Sequence, residues 1–148
     1  MKKTLLFFFF ALFFSCSRYL EFDENASIVG IWKPTKVTAI KNVAGFEVTK
    51  SEDLTACQQQ SRMIYNSDLS AVEMRYEEVN GNCEKTLERN FTYTYNPHTR
   101  NLVHTFIDGS VKDAKVISKT SSLLIVRGKK EIDGTMYDVE VTNVKLNN

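Results

Sequence analysis

The chain has 148 residues, of which 19 are Lys or Arg and 18 are Asp or Glu, and 43% are hydrophobic. This length predicts a single domain. The near-balance of charge argues against nucleic acid as a partner, because phosphate binding requires a concentrated positive face.

The first 15 residues have the composition of an export signal. Lys2 and Lys3 precede an apolar run that ends at a small residue, Ser15, just before Cys16. The run has about ten residues, whereas a transmembrane helix needs roughly 20. Residues 1–15 are therefore predicted to be a signal peptide, either of a lipoprotein or of a plain secretory protein.

The residues Leu12-Phe13-Phe14-Ser15-Cys16 resemble the lipobox of bacterial lipoproteins, although the commonest lipobox has smaller or aliphatic residues in place of the two phenylalanines. The resemblance implies cleavage before Cys16 and attachment of lipid, such as palmitate, to that cysteine. It implies a membrane-anchored protein of the bacterial cell envelope, with the outer membrane favoured and the body facing the periplasm or the cell exterior. Residues 16–27 then form the lipidated cysteine and its tether, and residues 28–148 form the domain.

From Ile28 onward, β-branched and aromatic residues alternate with polar ones, which indicates an all-β fold. Short connections predict antiparallel neighbours, and eight such strands can close into an up-and-down barrel, with an open sheet or a sandwich as the alternatives. Ser51 predicts the start of one short helix, over residues 51–60, before strand two. The strands are predicted near residues 30–38, 61–66, 69–78, 83–95, 101–107, 110–118, 123–131 and 135–146.

Three dipeptides are typical of two-residue hairpin turns, namely Asn80-Gly81, Asp108-Gly109 and Asp133-Gly134. The first turn sets Val72 opposite Arg89, so that Arg89 faces the barrel interior. The second sets His104 opposite Asp113 and leaves the inner face of that hairpin undecided. The third turn sorts its residues cleanly, with valines on the inner face and a salt pair on the outer face, Arg127 with Glu140.

Gly30-Ile31-Trp32, at the start of the first strand, resembles the Gly-x-Trp signature of lipocalins. Together with two cysteines and the eight-strand meander, the chain resembles the small lipocalin-like domains of bacterial envelope lipoproteins over roughly residues 28–146. The resemblance implies a lipocalin-like β-barrel. The later lipocalin signatures have no clear counterpart, and Lys145 only substitutes for the arginine that usually covers the tryptophan.

Once Cys16 is lipidated, Cys57 and Cys83 remain as an even pair in an oxidising compartment. A disulfide between them is predicted, with two free thiols as the alternative. No neighbouring His or Cys completes a metal ligand set, so no metal site is expected.

Arg89 is the most informative charged residue, because an inward-facing arginine needs a partner. With Tyr93 it could hold an anion such as a carboxylate; the alternative is that Arg89 lies at the rim or pairs with an internal acidic residue. The predicted ligand-binding residues are Trp32, Met74, Arg89, Phe91 and Tyr93.

These features predict a barrel that binds or carries a small apolar ligand. The alternative is an interaction or inhibitor-type scaffold with a filled barrel, which binds an envelope protein through exposed groups on loops such as Asn96–Arg100 or Lys41–Lys50. An enzyme is not expected, because no nucleophile accompanies His104 and Asp113, for which a cross-strand ion pair is predicted. No catalytic residue and no cofactor are therefore assigned.

Overall fold

A computed structural model describes residues 21–147, so the predicted signal peptide and Cys16 lie outside the described residues. The all-β prediction is confirmed, and no helix within residues 21–147 is long and apolar enough to cross a bilayer. A three-residue 3-10 turn spans Gln58–Gln60. The nine strands are β1 (Gly30–Val43), β2 (Phe46–Asp53), β3 (Arg62–Tyr65), β4 (Ser70–Val79), β5 (Asn82–Asn96), β6 (Asn101–Phe106), β7 (Val111–Lys119), β8 (Leu123–Ile132) and β9 (Thr135–Leu146).

Eight of these strands form the predicted closed barrel. Strands β3 to β9 pair in chain order, each antiparallel to the next. Strand β1 pairs with β3 on one side, and on the other side its residues from Ile31 to Ile40 pair with β9. A bulge between Pro34 and Lys36 interrupts this last pairing, since proline has no N–H to donate to the ladder.

The prediction of a short helix over residues 51–60 is wrong. Strand β1 continues beyond its predicted end, and a turn at Ala44–Gly45, with φ of 51° and 87°, sends β2 back along it. Two left-handed residues are what a two-residue hairpin turn requires. Ser51 lies in this hairpin, where its hydroxyl is 2.8 Å from that of Thr38, instead of capping a helix. Only Gln58–Gln60 form a helical turn.

The Asp133-Gly134 hairpin has the predicted register. Arg127 is opposite Glu140, and Arg127 Nη2 lies 2.6 Å from Glu140 Oε1. Val126 is opposite Val141, and both line the barrel interior. The outer salt pair and the inner valines follow from the period-two alternation of side chains in a strand.

The Asn80-Gly81 hairpin follows its predicted register only near the turn. A bulge after Arg75 shifts the remaining pairs by one residue. Arg89 is therefore opposite Glu73, and its predicted pairing with Val72 is wrong. A bulge adds one residue to one strand, and the alternation of side chains cannot reveal where that residue is inserted.

The Asp108-Gly109 hairpin has a three-residue loop instead of the predicted two. The Gly109 N–H donates to the Phe106 carbonyl at 3.0 Å, and within this loop only Gly109 has a left-handed φ, of 81°. This geometry is the next most common hairpin connection. His104 is consequently opposite Lys112, and its predicted pairing with Asp113 is wrong.

The chain before β1 crosses one end of the barrel, and we call residues 21–29 the N-terminal strap. The Asp23 N–H donates to the Lys119 carbonyl at 2.7 Å, and the Lys119 ammonium lies 5.2 Å from the centre of the Phe22 ring. The sheet, the strap and the core cluster described here all lie within residues 21–147, and we expect this part of the chain to fold on its own. The core cluster consists of Ile28, Trp32, Tyr65, Ala71, Phe91, Tyr93, Leu102, Phe106, Val116 and Leu124.

The predicted disulfide between Cys57 and Cys83 is present, with the two Cα atoms 5.4 Å apart. Cys57 immediately precedes the 3-10 turn, and Cys83 lies at the start of β5. The bond therefore fixes the connection between β2 and β3 to the β4–β5 hairpin.

We expect the double substitution Cys57→Ser/Cys83→Ser to lower the free energy of unfolding by about 3 to 4 kcal/mol, because the bond joins residues separated by 26 positions. Urea unfolding followed by tryptophan fluorescence measures the difference. The wild-type chain with reductant should match the variant. Equal unfolding midpoints for the oxidised wild type and the variant would contradict the prediction.

Candidate functional site

The inner face of the barrel encloses a cavity of about 550 Å³. It lies towards the end that carries the hairpin turns at Asn80-Gly81, Asp108-Gly109 and Asp133-Gly134, which we call the mouth. The opposite end is covered by the N-terminal strap. Much of the wall is apolar because inward side chains alternate with polar outward ones. The apolar lining includes Trp32, Val37, Met63, Leu124, Val126, Val139 and Val141.

One polar group on this wall is a histidine joined to a tyrosine. His104 Nε2 and the Tyr65 hydroxyl share a hydrogen bond of 2.9 Å, and the centre of the imidazole ring lies 4.7 Å from that of Phe91. Burial lowers the pKa of His104 to about 4, against the opposing effect of Glu73. Burial also raises the pKa of Tyr65. Both groups are therefore neutral near pH 7 and form a polar point in the wall.

The second polar group is Glu73, whose carboxylate accepts hydrogen bonds from two arginines. Arg89 Nε donates to one carboxylate oxygen at 2.7 Å, and Arg75 Nη2 donates to the other at 2.8 Å. Burial raises the pKa of Glu73, but the hydrogen bonds and charges of the two arginines outweigh it and hold this pKa below its usual value. The Arg89 guanidinium also lies 4.2 Å from the centre of the Phe106 ring. Arg89 thus has the internal acidic partner that the alternative interpretation described.

The other residues predicted to bind ligand fall into two groups. Trp32 and Met74 line the cavity. Phe91 and Tyr93 pack in the core cluster, where the Tyr93 hydroxyl donates to the Asn66 carbonyl at 2.8 Å. That hydroxyl is therefore already engaged by the backbone. A direct role of these residues in ligand binding stays a prediction.

Sequence reasoning missed that Tyr65, Glu73 and His104 lie together on the inner face. Tyr65 and Glu73 both alternate with outward residues in their strands, and the inward position of Glu73 can be predicted only when the bulge in β5 is known. The position of His104 could be predicted only from the true length of the loop between β6 and β7, which has three residues. Among residues 21–147, no group of His, Cys, Asp and Glu side chains is arranged to hold a metal ion.

The tryptophan of the Gly-x-Trp motif is fully buried near the strap. Trp32 Nε1 donates to the Ile28 carbonyl at 2.7 Å, and the Lys145 ammonium lies 5.3 Å from the centre of the indole ring. Lys145 therefore covers Trp32, as a cation–π partner. Gly30 leaves room for the Lys145 side chain, because a Cβ at residue 30 would lie 2.4 Å from Lys145 Cε.

A family model described as a lipocalin-like domain matches residues 28–126, more than half of the chain. The chain belongs to the lipocalin-like domain family. The family match and the closed eight-stranded barrel thus agree on the fold. No curated protein sequence matches the chain.

Solved lipocalin structures resemble this lipocalin-like domain. The bovine lipocalin allergen Bos d 2 has 15% identity and a TM-score of 0.46, over 80% of this chain and 73% of that chain. The siderocalin Ex-FABP, described as having dual ligand specificities, has 12% identity and a TM-score of 0.47, over 84% and 75% respectively. A bovine odorant-binding protein in complex with a selenium-containing odorant has 11% identity and a TM-score of 0.45, over 80% and 73%.

We expect His104 to reduce the free energy of unfolding of the lipocalin-like domain by up to about 3 kcal/mol as the pH falls from 6.5 to 4. The His104 pKa is about 4 in the folded chain and 6.5 ordinarily, so between these values the unfolded chain binds a proton that the folded chain does not. Acidification therefore favours the unfolded chain in this interval, and the effect is absent above it.

Urea unfolding at the two ends of this interval measures the effect. His104→Gln, whose amide does not titrate, should lose less stability on acidification than the wild type. His98→Gln in the exposed turn after β5 is the matched control and should behave as the wild type does. The same pH dependence in all three proteins would show that His104 is not the group responsible.

Proposed function

We propose that the lipocalin-like domain binds or carries a small, largely apolar molecule inside its barrel. The cavity carries this proposal, since its volume of about 550 Å³ falls within the roughly 300–1,000 Å³ typical of small-molecule sites. Its wall combines apolar side chains with two polar points, the His104–Tyr65 pair and the Glu73 cluster. Such a combination provides apolar contact area and fixes the orientation of a ligand.

Binding without catalysis fits the chemistry of this wall. His104 is neutral near pH 7 and shares its hydrogen bond with Tyr65. A tyrosine whose pKa is raised by burial is not activated as a nucleophile. We therefore propose a binding protein and not an enzyme.

Gly128 is a position at which the cavity can be filled. It lines the cavity opposite Val139, and an added Cβ would lie 4.0 Å from the Ala114 Cβ, an ordinary contact distance. A larger side chain at this position extends into the interior, and its own Cβ is accommodated by the wall.

We expect Gly128→Leu to weaken the binding of dodecanoic acid by about tenfold or more, because the added side chain occupies the space that the ligand needs. Trp32 is the only tryptophan of the chain, so its fluorescence reports occupancy of the cavity that it lines. The measurement uses the chain from Ser17 onward, which lacks Cys16. Gly128→Ala is the control and should bind as the wild type does; unchanged binding by Gly128→Leu would place the ligand elsewhere.

We also propose that lipid on Cys16 holds the domain on a membrane of the bacterial cell envelope, with the outer membrane favoured and the domain facing the periplasm or the cell exterior. The lipobox-like residues before Cys16 support this. The chain from Cys16 to Glu21 reaches about 18 Å at most, whereas the 12 residues of β9 extend about 40 Å along the strand, which in a barrel is tilted to the axis. Glu21 belongs to the strap, so a lipid on Cys16 would hold the strap end of the barrel closer to the membrane than the mouth.

We expect Cys16→Ser to release the protein from the membrane fraction and to abolish its labelling by a palmitate analogue, because the substitution removes the acceptor thiol. Cell fractionation and metabolic labelling measure the two effects. The double variant Cys57→Ser/Cys83→Ser is the control and should stay membrane-bound and labelled. A Cys16→Ser protein that still sediments with membranes would contradict the proposal that lipid on Cys16 anchors the domain.

A second candidate function is protein binding through the β1–β2 hairpin. All eight residues of β2 are exposed. Within Lys41–Lys50, the exposed fraction is 76% for Phe46, 56% for Val48 and 48% for Val43. Exposed apolar side chains grouped on a projecting hairpin are typical of a surface that contacts an envelope protein.

We expect a photoreactive amino acid in place of Phe46 to crosslink one discrete envelope protein in cells, because Phe46 projects from the tip of the hairpin. The same amino acid in place of Thr49, which lies on the opposite face of β2, is the control and should give little product. Mass spectrometry of the adduct identifies the partner. Equal crosslinking at both positions, or none at either, would remove the second candidate.

A further inference from the structure

The charged side chains around the cavity are unevenly balanced. Five cationic side chains line it against two carboxylates. His104 contributes no charge near pH 7, since burial lowers its pKa. The excess of positive charge surrounds the half of the barrel nearest the mouth. The cations are Arg62, Arg75, Lys112, Lys129 and Lys130, and the carboxylates are Glu73 and Glu77.

The two arginines of this set are already occupied by groups of the protein. Arg75 donates to Glu73, and Arg62 Nη1 donates to the carbonyl oxygens of Gln59 and Ser61 at 2.8 and 2.7 Å. These hydrogen bonds fix the two guanidinium groups against the wall. They leave the lysines as the cations available to a ligand.

Lys112 and Lys130 lie on the inner faces of adjacent strands. The β7–β8 register begins at Ala114 opposite Gly128, and two residues further towards the mouth each strand has a lysine on the same face. Neither lysine forms a salt bridge with any residue of the described part of the chain. The two lysines lie beyond the last paired residues of β7 and β8, at the mouth. Two cations on the same face of neighbouring strands repel each other, and an anion that contacts both reduces the repulsion.

Apolar and cationic surfaces therefore follow one another along the cavity. Towards the strap, Val126 and Val141 form part of the wall in front of the buried Trp32 and Leu124, and towards the mouth the wall includes the two lysines. The Lys112 ammonium also lies 5.6 Å from the centre of the Phe106 ring, at the mouth end of β6. A molecule that matches both surfaces has an apolar tail and an anionic head.

We propose, on the basis of the function proposed above, that the ligand is a single-chain amphiphile whose carboxylate or phosphate head lies between Lys112 and Lys130 and whose tail contacts the apolar wall. The lysines supply charge and hydrogen-bond donors to the head group at the mouth. The tail supplies the apolar contact area.

Four twelve-carbon probes that differ only in the head group test this assignment: dodecanoate, dodecyl phosphate, dodecan-1-ol and dodecyltrimethylammonium. Each is titrated into the chain from Ser17 onward and followed by Trp32 fluorescence. We expect one or both anions to bind about tenfold or more tightly than the alcohol, with the cation weakest. Added salt should weaken the anions and leave the alcohol unchanged. The tighter of the two anions identifies the head group.

Two negative outcomes of this titration can be distinguished. Binding of the alcohol as tightly as the tighter of the two anions would overturn the anionic head while the apolar carrier function stands. The absence of binding by any probe would overturn both.

Substitution of the lysines locates the head group. Lys112→Gln and Lys130→Gln should each weaken the better anion roughly fivefold and leave dodecan-1-ol unchanged. Lys115→Gln, on the opposite face of β7, is the matched control and should bind all probes as the wild type does. An equal loss in Lys115→Gln would show a general charge effect and overturn the assignment.

Discussion

The pairing of β1 with β9 is the interaction on which the rest of this structure depends. Without it, the eight strands would form an open sheet with two exposed edges and an inner face in water. The same strand also pairs with β3 near its start and with β2 further along. One long strand therefore closes the barrel, and its second half also pairs with β2 to form the exposed hairpin.

Closure alone does not decide whether the interior is a packed core or a cavity; side-chain size does. Near the strap, the inner face presents large residues such as Trp32 and Tyr95, which fill the space. Further towards the mouth, Ala114 faces Gly128, and the valines of β8 and β9 complete the wall. The interior widens where these side chains are small. The basic residues nearest the mouth then give this space its charge.

The alternation of apolar and polar residues, together with the residues typical of hairpin turns, was sufficient to predict the all-β class, the closed barrel and most strand bounds. The Asp133-Gly134 register was readable because no bulge interrupts it. The extra residue in β5, Thr86, which lies opposite the step from Arg75 to Tyr76, could not be predicted, and it alone changed the partner of Arg89. A turn with Ala44 in the left-handed region was also missed, because alanine seldom adopts that conformation. A one-residue error moves a whole strand segment to the other face, so site residues are the first to be misplaced.

For the same reason, the candidate site was predicted only in part. Trp32 and Met74 were placed on the cavity wall from sequence, whereas Tyr65, Glu73 and His104 emerged from registers that depend on tertiary curvature. The disulfide could be predicted because cysteine parity and compartment restrict the choice. The charge balance of the cavity could not, because it requires knowing which lysine on each strand points inward.

The claim that the barrel contains a ligand is tested most directly by native mass spectrometry of the protein purified from the cells that naturally produce it, beside the same sample after denaturation. We predict one discrete additional mass of a small molecule, which is lost when the chain unfolds. A native mass equal to that of the denatured chain, with no further mass, would contradict the carrier function and direct attention to the exposed hairpin.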